Sequence, residues 1–145
     1  MGECVFCSIV AGRRPASFVY RDEACSAFMD IRPVNPGHVL VIPNGHSMSL
    51  ADLSDDCGPA LFQLARRVAQ AVRKSGLRCE GVNLWLADGE AAGQEVFHVH
   101  IHILPRYRGD GFKLSFGPEY GKASDRRELE RTAARIRDAL PGQAV

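Results

Sequence analysis

The sequence predicts an α+β fold, a mostly antiparallel five-stranded sheet with two helices, and three observations predict it. Short apolar or alternating runs bounded by turn residues recur along the chain, two longer stretches place their apolar residues at helical spacing, and the order of these segments is β-β-β-α-β-β-α. At 145 residues the chain is read as one domain, within the usual range of about 100 to 200 residues.

Phe18-Val19-Tyr20 and Ala24 to Met29 flank the polar Arg21-Asp22-Glu23 and read as a hairpin. Pro33-Val34-Asn35-Pro36-Gly37 is a turn-rich link into His38-Val39-Leu40-Val41-Ile42, a nearly continuous apolar run that stops at Pro43, as a central strand buried on both faces would. Ser54, Asp55 and Asp56 start a helix in which Leu61, Leu64, Ala65, Val68 and Val72 recur at helical spacing and which Gly76 ends. Arg66, Arg67, Arg73 and Lys74 form its solvated face. Gly81 to Leu86 is a fourth strand, Ala87 to Gln94 a loop, and Val96 to Leu104 a fifth strand closed by Pro105. After a Gly- and aromatic-rich stretch, residues 125–140 form an amphipathic helix through Leu129, Ala133, Ile136 and Leu140.

Composition narrows the function. Eighteen Lys and Arg against 17 Asp and Glu leave a net charge of +1, which argues against a nucleic-acid polymer or a membrane surface as partner. The apolar runs are too short to span a bilayer. The odd set Cys4, Cys7, Cys25, Cys57 and Cys79 follows no secretory leader pattern and fits a reducing cytoplasm better than a disulfide framework.

The sharpest signal is Phe97-His98-Val99-His100-Ile101-His102-Ile103-Leu104. Period-two alternation sets His98, His100 and His102 on one strand face and Val99, Ile101 and Ile103 on the other. Three readings of the histidine face stand open. The rings are satisfied half-buried polar groups, or a His-x-His pair holds a catalytic zinc with water in the fourth position, or one imidazole attacks an electrophile while its neighbours set its tautomer. The preceding Gly89-Glu90-Ala91-Ala92-Gly93-Gln94 offers backbone N–H groups to a phosphate or oxyanion, which suits the nucleophilic reading.

These residues resemble the histidine triad (HIT) superfamily of nucleotide hydrolases and transferases, whose pattern is His-φ-His-φ-His-φ-φ with φ apolar. Ala92 to Phe97, Pro105-Arg106, Cys4 to Gly12, Asp30-Ile31-Arg32-Pro33 and Pro36 to Pro43 resemble its small bacterial branch and the diadenosine polyphosphate hydrolases, so the likeness covers residues 4–110 and leaves the helix near 125–140 as an extension. The resemblance implies a HIT-like fold. It also implies that His100 attacks the α-phosphorus of a purine nucleoside phosphoramidate, acyl nucleotide or dinucleoside polyphosphate, with His102 and His38 beside it. By the same likeness Gln94, Glu95 and Val96 line the phosphate site, Asp30 takes the ribose hydroxyls, and Phe6, Ile9, Phe28 and Ile31 pack the base, although each of these four is equally a core residue.

Two positions depart from the family pattern. Glu95 stands where Ser or Thr is common and Ala87 where Asn or Gln is common, which puts the leaving group in question and keeps a nucleotide-binding interaction module with weak turnover as an alternative. Some bacterial members that begin Cys-x-x-Cys carry a structural zinc, so the resemblance implies a Cys4, Cys7, His46 and His98 site. Cys25, Cys57 and Cys79 are left as packed thiols. Family members pair, and a homodimer through residues 54–75 and the strand that follows is the expectation.

Overall fold

The computed structural model describes residues 3–142, which fall into two compact units, one running to Phe112 and one beginning at Lys113. The first holds α1 (Val5–Val10), β1 (Phe18–Arg21), β2 (Cys25–Met29), β3 (Val39–Pro43), α2 (Cys57–Lys74), β4 (Gly81–Trp85) and β5 (Ile101–Arg106), with single 3-10 turns at Leu50–Asp52 and Glu90–Ala92. The strands form one sheet in the order β1-β2-β3-β5-β4, and every neighbouring pair is antiparallel. The five-stranded α+β expectation therefore holds, with three α-helices among the described residues in place of two.

The additional helix is α1. Its six residues carry β-branched Val5, Ile9 and Val10 and no side-chain cap, so propensity gives no sign of it. It is held by packing: Phe6 and Ile9 bury against Phe28, Leu40 and Ile42 on one face of the sheet. Ala27, Val39, Val41, Val99, Ile101 and Ile103 project from the other face onto Leu61, Leu64, Ala65, Val68 and Val72 of α2. Strand β3 is thus buried on both faces, as its unbroken apolar run predicts.

The β1–β2 hairpin is tied by Asp22, whose Oδ1 accepts from the Ala24 and Cys25 N–H groups at 2.9 and 2.7 Å, and these bonds draw its carboxyl below the ordinary value. Helix α2 begins at Cys57, three residues after the expected start, and ends at Lys74. Gly37 takes φ +94° in the link to β3, a left-handed conformation that strains any residue with a Cβ, and a Cβ there would also displace the Leu77 side chain.

The expected strand from Val96 to Leu104 is shifted. β5 begins at Ile101 and runs through Pro105 to Arg106, so His98 and His100 precede it. β3 and β5 pair only over Val39↔Ile103, Leu40↔His102 and Val41↔Ile101. Pro43 has no N–H for a further rung, its carbonyl is taken by the His98 ring, and Val99 N–H turns to the Ser47 carbonyl at 2.7 Å. Alternation of sides nonetheless continues through the residues before β5, with Val99 in the α2-side core.

In the second unit α3 (Arg126–Ala139) is capped by Asp125, which accepts from the Arg127 and Glu128 N–H groups. Its bounds match the amphipathic stretch expected over residues 125–140, and Leu129, Ile136 and Leu140 are exposed.

Ile103 is fully buried in the larger core cluster. Replacing it, Ile103→Ala, is expected to cost about 2–5 kcal/mol, read as a lower urea midpoint at unchanged m-value.

Candidate functional site

The α1 face of the sheet carries a cavity of about 790 Å³, within the usual range for small-molecule sites of roughly 300–1,000 Å³. Val5, Phe6, Ile9, Ala16 and Phe28 form its apolar wall, and Asp30, His38, His100 and His102 its polar one. Of the expected base-packing residues, Phe6, Ile9 and Phe28 are buried, whereas Ile31 lines the cavity but is 91% exposed. Glu95 and Val96 also line it.

Gln94 is placed differently. It is buried and absent from the cavity wall: its Oε1 accepts from Gly89 N–H at 2.7 Å and its Nε2 donates to the Met48 and Val96 carbonyls. The side chain closes the Gly89–Gln94 loop, and both of its N–H donors are taken. Ala87 is buried, and Asn83 is engaged by Arg106, so neither offers a polar contact to the cavity. Glu95 pairs with Arg32 at 3.5 Å, both side chains being more than four-fifths exposed. Arg32 thereby offsets the charge that Glu95 brings to the rim. Nothing in the sequence marked Arg32 for this, nor Arg14, which also lines the cavity.

Backbone hydrogen bonds decide what each imidazole presents. His100 Nδ1 lies 2.7 Å from the His98 carbonyl, which can only accept, so the proton is on Nδ1 and the lone pair on Nε2. His98 Nε2 lies 2.8 Å from the Pro43 carbonyl, leaving the lone pair on Nδ1. Val34 N–H donates to His38 Nδ1 at 3.2 Å, which puts the His38 proton on Nε2. That proton is donated to His102 Nδ1 at 2.8 Å, and the His102 proton is left on Nε2. Among the described residues no buried side-chain nitrogen or oxygen lacks a partner. Among the described residues His100 Nε2 and His102 Nε2 have no hydrogen-bond partner, and both rings line the cavity, so both nitrogens open on it. One offers a lone pair and the other an N–H, with ring centroids 4.8 Å apart.

The three triad nitrogens do not converge on one point. His98 instead faces Cys4, Cys7 and His46: its Nδ1 is 3.5 and 3.6 Å from the two sulfurs and 3.4 Å from His46 Nδ1, and Cys7 Sγ is 3.3 Å from His46 Nδ1. All four donor atoms lie within 4.8 Å of one another. A tetrahedral zinc with arms of about 2.3 Å to sulfur and about 2.0–2.1 Å to nitrogen would have S···N edges of about 3.5–3.6 Å and an N···N edge of about 3.4 Å. The donor set therefore fits zinc. The His98 Nε2–H bond to Pro43 supplies the outer-shell support that a ligating imidazole takes. Helix α1 explains the pair of thiols, since positions 4 and 7 lie one turn apart on the same side. Burial, with Cys4 beside it, pushes the Cys7 thiol up, so a thiolate there calls for a cation. Of the remaining thiols, Cys25 is buried and pushed up to about 11 by desolvation, and Cys57 and Cys79 are half-buried.

The HIT domain model matches residues 11–109. The chain belongs to the HIT family. Solved HIT structures overlay it closely. A member of the family from Bacillus subtilis is 36% identical with a TM-score of 0.88, over 98% of this chain and all of that one. A zinc-bound histidine triad family protein from Mycobacterium smegmatis is 39% identical with a TM-score of 0.74, over 95% and 98% of the two chains. A histidine triad nucleotide-binding protein from Candida albicans is 25% identical with a TM-score of 0.84, over 95% and 97%. The antiparallel sheet of this HIT protein is thus that of its family, and its Cys/His cluster is a site that could hold a metal. Among the described residues no helix is long and apolar enough to cross a membrane.

Burial, reinforced by His100 and His38, pushes the His102 imidazole down to about 4. The folded state disfavours its protonation, whereas in the unfolded chain the ring takes up its proton near the ordinary value of about 6.5. His102 therefore contributes its full stability above pH about 6.5 and loses it as pH falls towards 4, because the unfolded state binds more protons there. Urea midpoints measured across that window are expected to drop with falling pH, and to drop less steeply in His102→Asn.

Proposed function

We propose that this HIT protein is a nucleotide hydrolase or transferase that cleaves at the α-phosphate of a purine nucleoside phosphoramidate, acyl nucleotide or dinucleoside polyphosphate through a nucleotidyl-His100 intermediate. Family membership supports a nucleotide-handling role. The observation that carries the finer reading is the His100 Nδ1–H bond to the His98 carbonyl, which points an Nε2 lone pair into the cavity beside the His102 Nε2–H. An imidazole that keeps its proton on Nδ1 and presents the Nε2 lone pair is set to act as a nucleophile.

In the first step the Nε2 lone pair of His100 forms a bond to the α-phosphorus. The bond from phosphorus to the leaving group breaks, and the leaving group departs with that electron pair and takes up a proton from solvent, which the attacking water of the second step gives back. His102 Nε2–H donates to a phosphoryl oxygen as negative charge concentrates there. In the second step water attacks the same phosphorus, the P–N bond breaks and returns its pair to His100, and the nucleoside monophosphate is released. Asp30, whose Oδ1 is oriented by Arg32 N–H at 2.8 Å, would accept from the ribose hydroxyls, and Phe6, Ile9 and Phe28 would pack the base with Ile31 at the rim. Val96 and the backbone at Glu95 would border the phosphates.

Cys4, Cys7, His46 and His98 would hold the zinc. A four-ligand set leaves no open position, so zinc would supply structure, joining α1 to the segment after β3 and the segment before β5. A cytoplasmic location goes with this reading, since the two thiols must stay reduced to bind the metal.

A substrate panel with mass spectrometry tests the proposal. The wild type is expected to hydrolyse at least one of the three substrate classes and to yield a nucleotidyl adduct on His100, while His100→Asn loses turnover by about a thousandfold or more and forms no adduct. Zinc-stripped protein should melt lower yet still form the adduct at low temperature. Full activity in His100→Asn overturns the proposal.

A homodimer belongs to the same reading. β4 is an edge strand with Leu84 and Trp85 exposed, and α2 exposes Phe62. An apolar edge of this kind suits pairing with a second copy. Sedimentation should give twice the mass of one chain, and Trp85→Lys should shift it towards the monomer.

A further inference from the structure

The donor that His102 turns to the cavity, its Nε2–H, depends on a single backbone amide outside the cavity. If the His38 proton moved to Nδ1, it would oppose the Val34 N–H, donor against donor, and His38 Nε2 would turn a lone pair on His102 Nδ1. His102 would then carry its proton on Nδ1 and present a lone pair, not an N–H, to the phosphoryl oxygens. Asp30 Oδ2 favours the same His38 proton position but stands 3.6 Å from Nε2, beyond hydrogen-bond reach.

What holds the Val34 amide in place is Asn35. Its Nδ2 donates to the Pro105 carbonyl at 2.8 Å and to Asp110 Oδ2 at 3.0 Å, two acceptors that only the amide nitrogen can satisfy. Its own carbonyl accepts from His38 N–H at 3.1 Å. Asn35 is buried, and the Asp110 side chain is 4% exposed. Arg106 Nε and Nη2 fork onto the Asp110 carboxylate at 2.6 and 3.0 Å, and the Tyr107 and Phe112 N–H groups add to it. This buried carboxylate with five donors is far more than a surface turn needs. Its one partner on the other segment is Asn35, so the network clamps the 33–38 turn to the end of β5.

We propose that Asn35, clamped by Asp110 and Arg106, is a positioning residue that places the Val34 N–H on His38 and thereby makes His102 a hydrogen-bond donor to the transferring phosphoryl group. None of these three clamp residues touches the cavity wall. The inference rests on the nucleotidyl-transfer reading for its consequence, but the proton positions are measurable without turnover.

Nitrogen-15 spectra of the histidine rings in the full zinc-loaded chain test it directly. The wild type is expected to show His38 and His102 protonated on Nε2 and bare on Nδ1. In Asn35→Ala both tautomers of each ring should appear, and kcat should fall by about tenfold to a hundredfold with KM little changed. Val34→Pro removes the amide proton while leaving Asn35 in place, at a position that is 41% exposed, and should give the same spectral change. A wild-type His38 proton on Nδ1 overturns the proposal, as does an unchanged tautomer pattern in a folded Asn35→Ala or Val34→Pro. The expected tautomers with no turnover of any nucleotide would uphold the clamp and count against the functional reading instead.

Discussion

Val39, Leu40 and Val41 pair with Ile103, His102 and Ile101, and this short ladder carries both the core and the site. Side chains alternate across it, so one set of residues fills the space under α2 while the next set builds the cavity floor on the α1 side. His102 is held in the ladder itself. His100 and His98 lie just beyond it, free of strand pairing, and their rings reach backbone carbonyls. Were the ladder to slip by one residue, the histidines would enter the α2 core and the isoleucines the cavity.

Three of the imidazoles are disfavoured as cations. Burial pushes His38, His98 and His102 down, and each proton is assigned by a backbone carbonyl, a backbone amide or a neighbouring ring. Three histidines of one motif consequently present three different faces: His98 a lone pair to the Cys/His cluster, His100 a lone pair to the cavity, and His102 an N–H to the cavity. With a net charge of +1, the chain has little bulk positive charge, and what the cavity offers is directed donors and acceptors in a partly dry setting.

Much of this was legible in the residues. The unbroken apolar run at β3, the hairpin around Asp22, and the helical spacing of Leu61 to Val72 each appear where their pattern puts them, since burial on a known face leaves a periodic trace. The His-x-His-x-His alternation correctly separates cavity side from core side. It overstates the strand because alternation records which way side chains point, whereas the strand limit is set by the partner, and Pro43 ends the partner's ladder. Helix α1 left no trace, being too short and too β-branched for propensity to register. Gln94 shows a further limit: the same amide can face a phosphate or close a loop, and only the positions of Gly89 and Met48 choose between them.

By itself the sequence determined the alternation of sides, the layers of the sheet and the inventory of nucleophilic and ligating side chains, because these follow from residue type and local period. The tertiary structure decided which histidine does what. Ring protonation depends on a carbonyl or amide brought in from another segment, Pro43 for His98 and Val34 for His38, and the Cys4–Cys7 pair meets His46 and His98 only when three distant segments close on one point. Such contacts join residues far apart in the chain and carry no local period, so folding alone sets them.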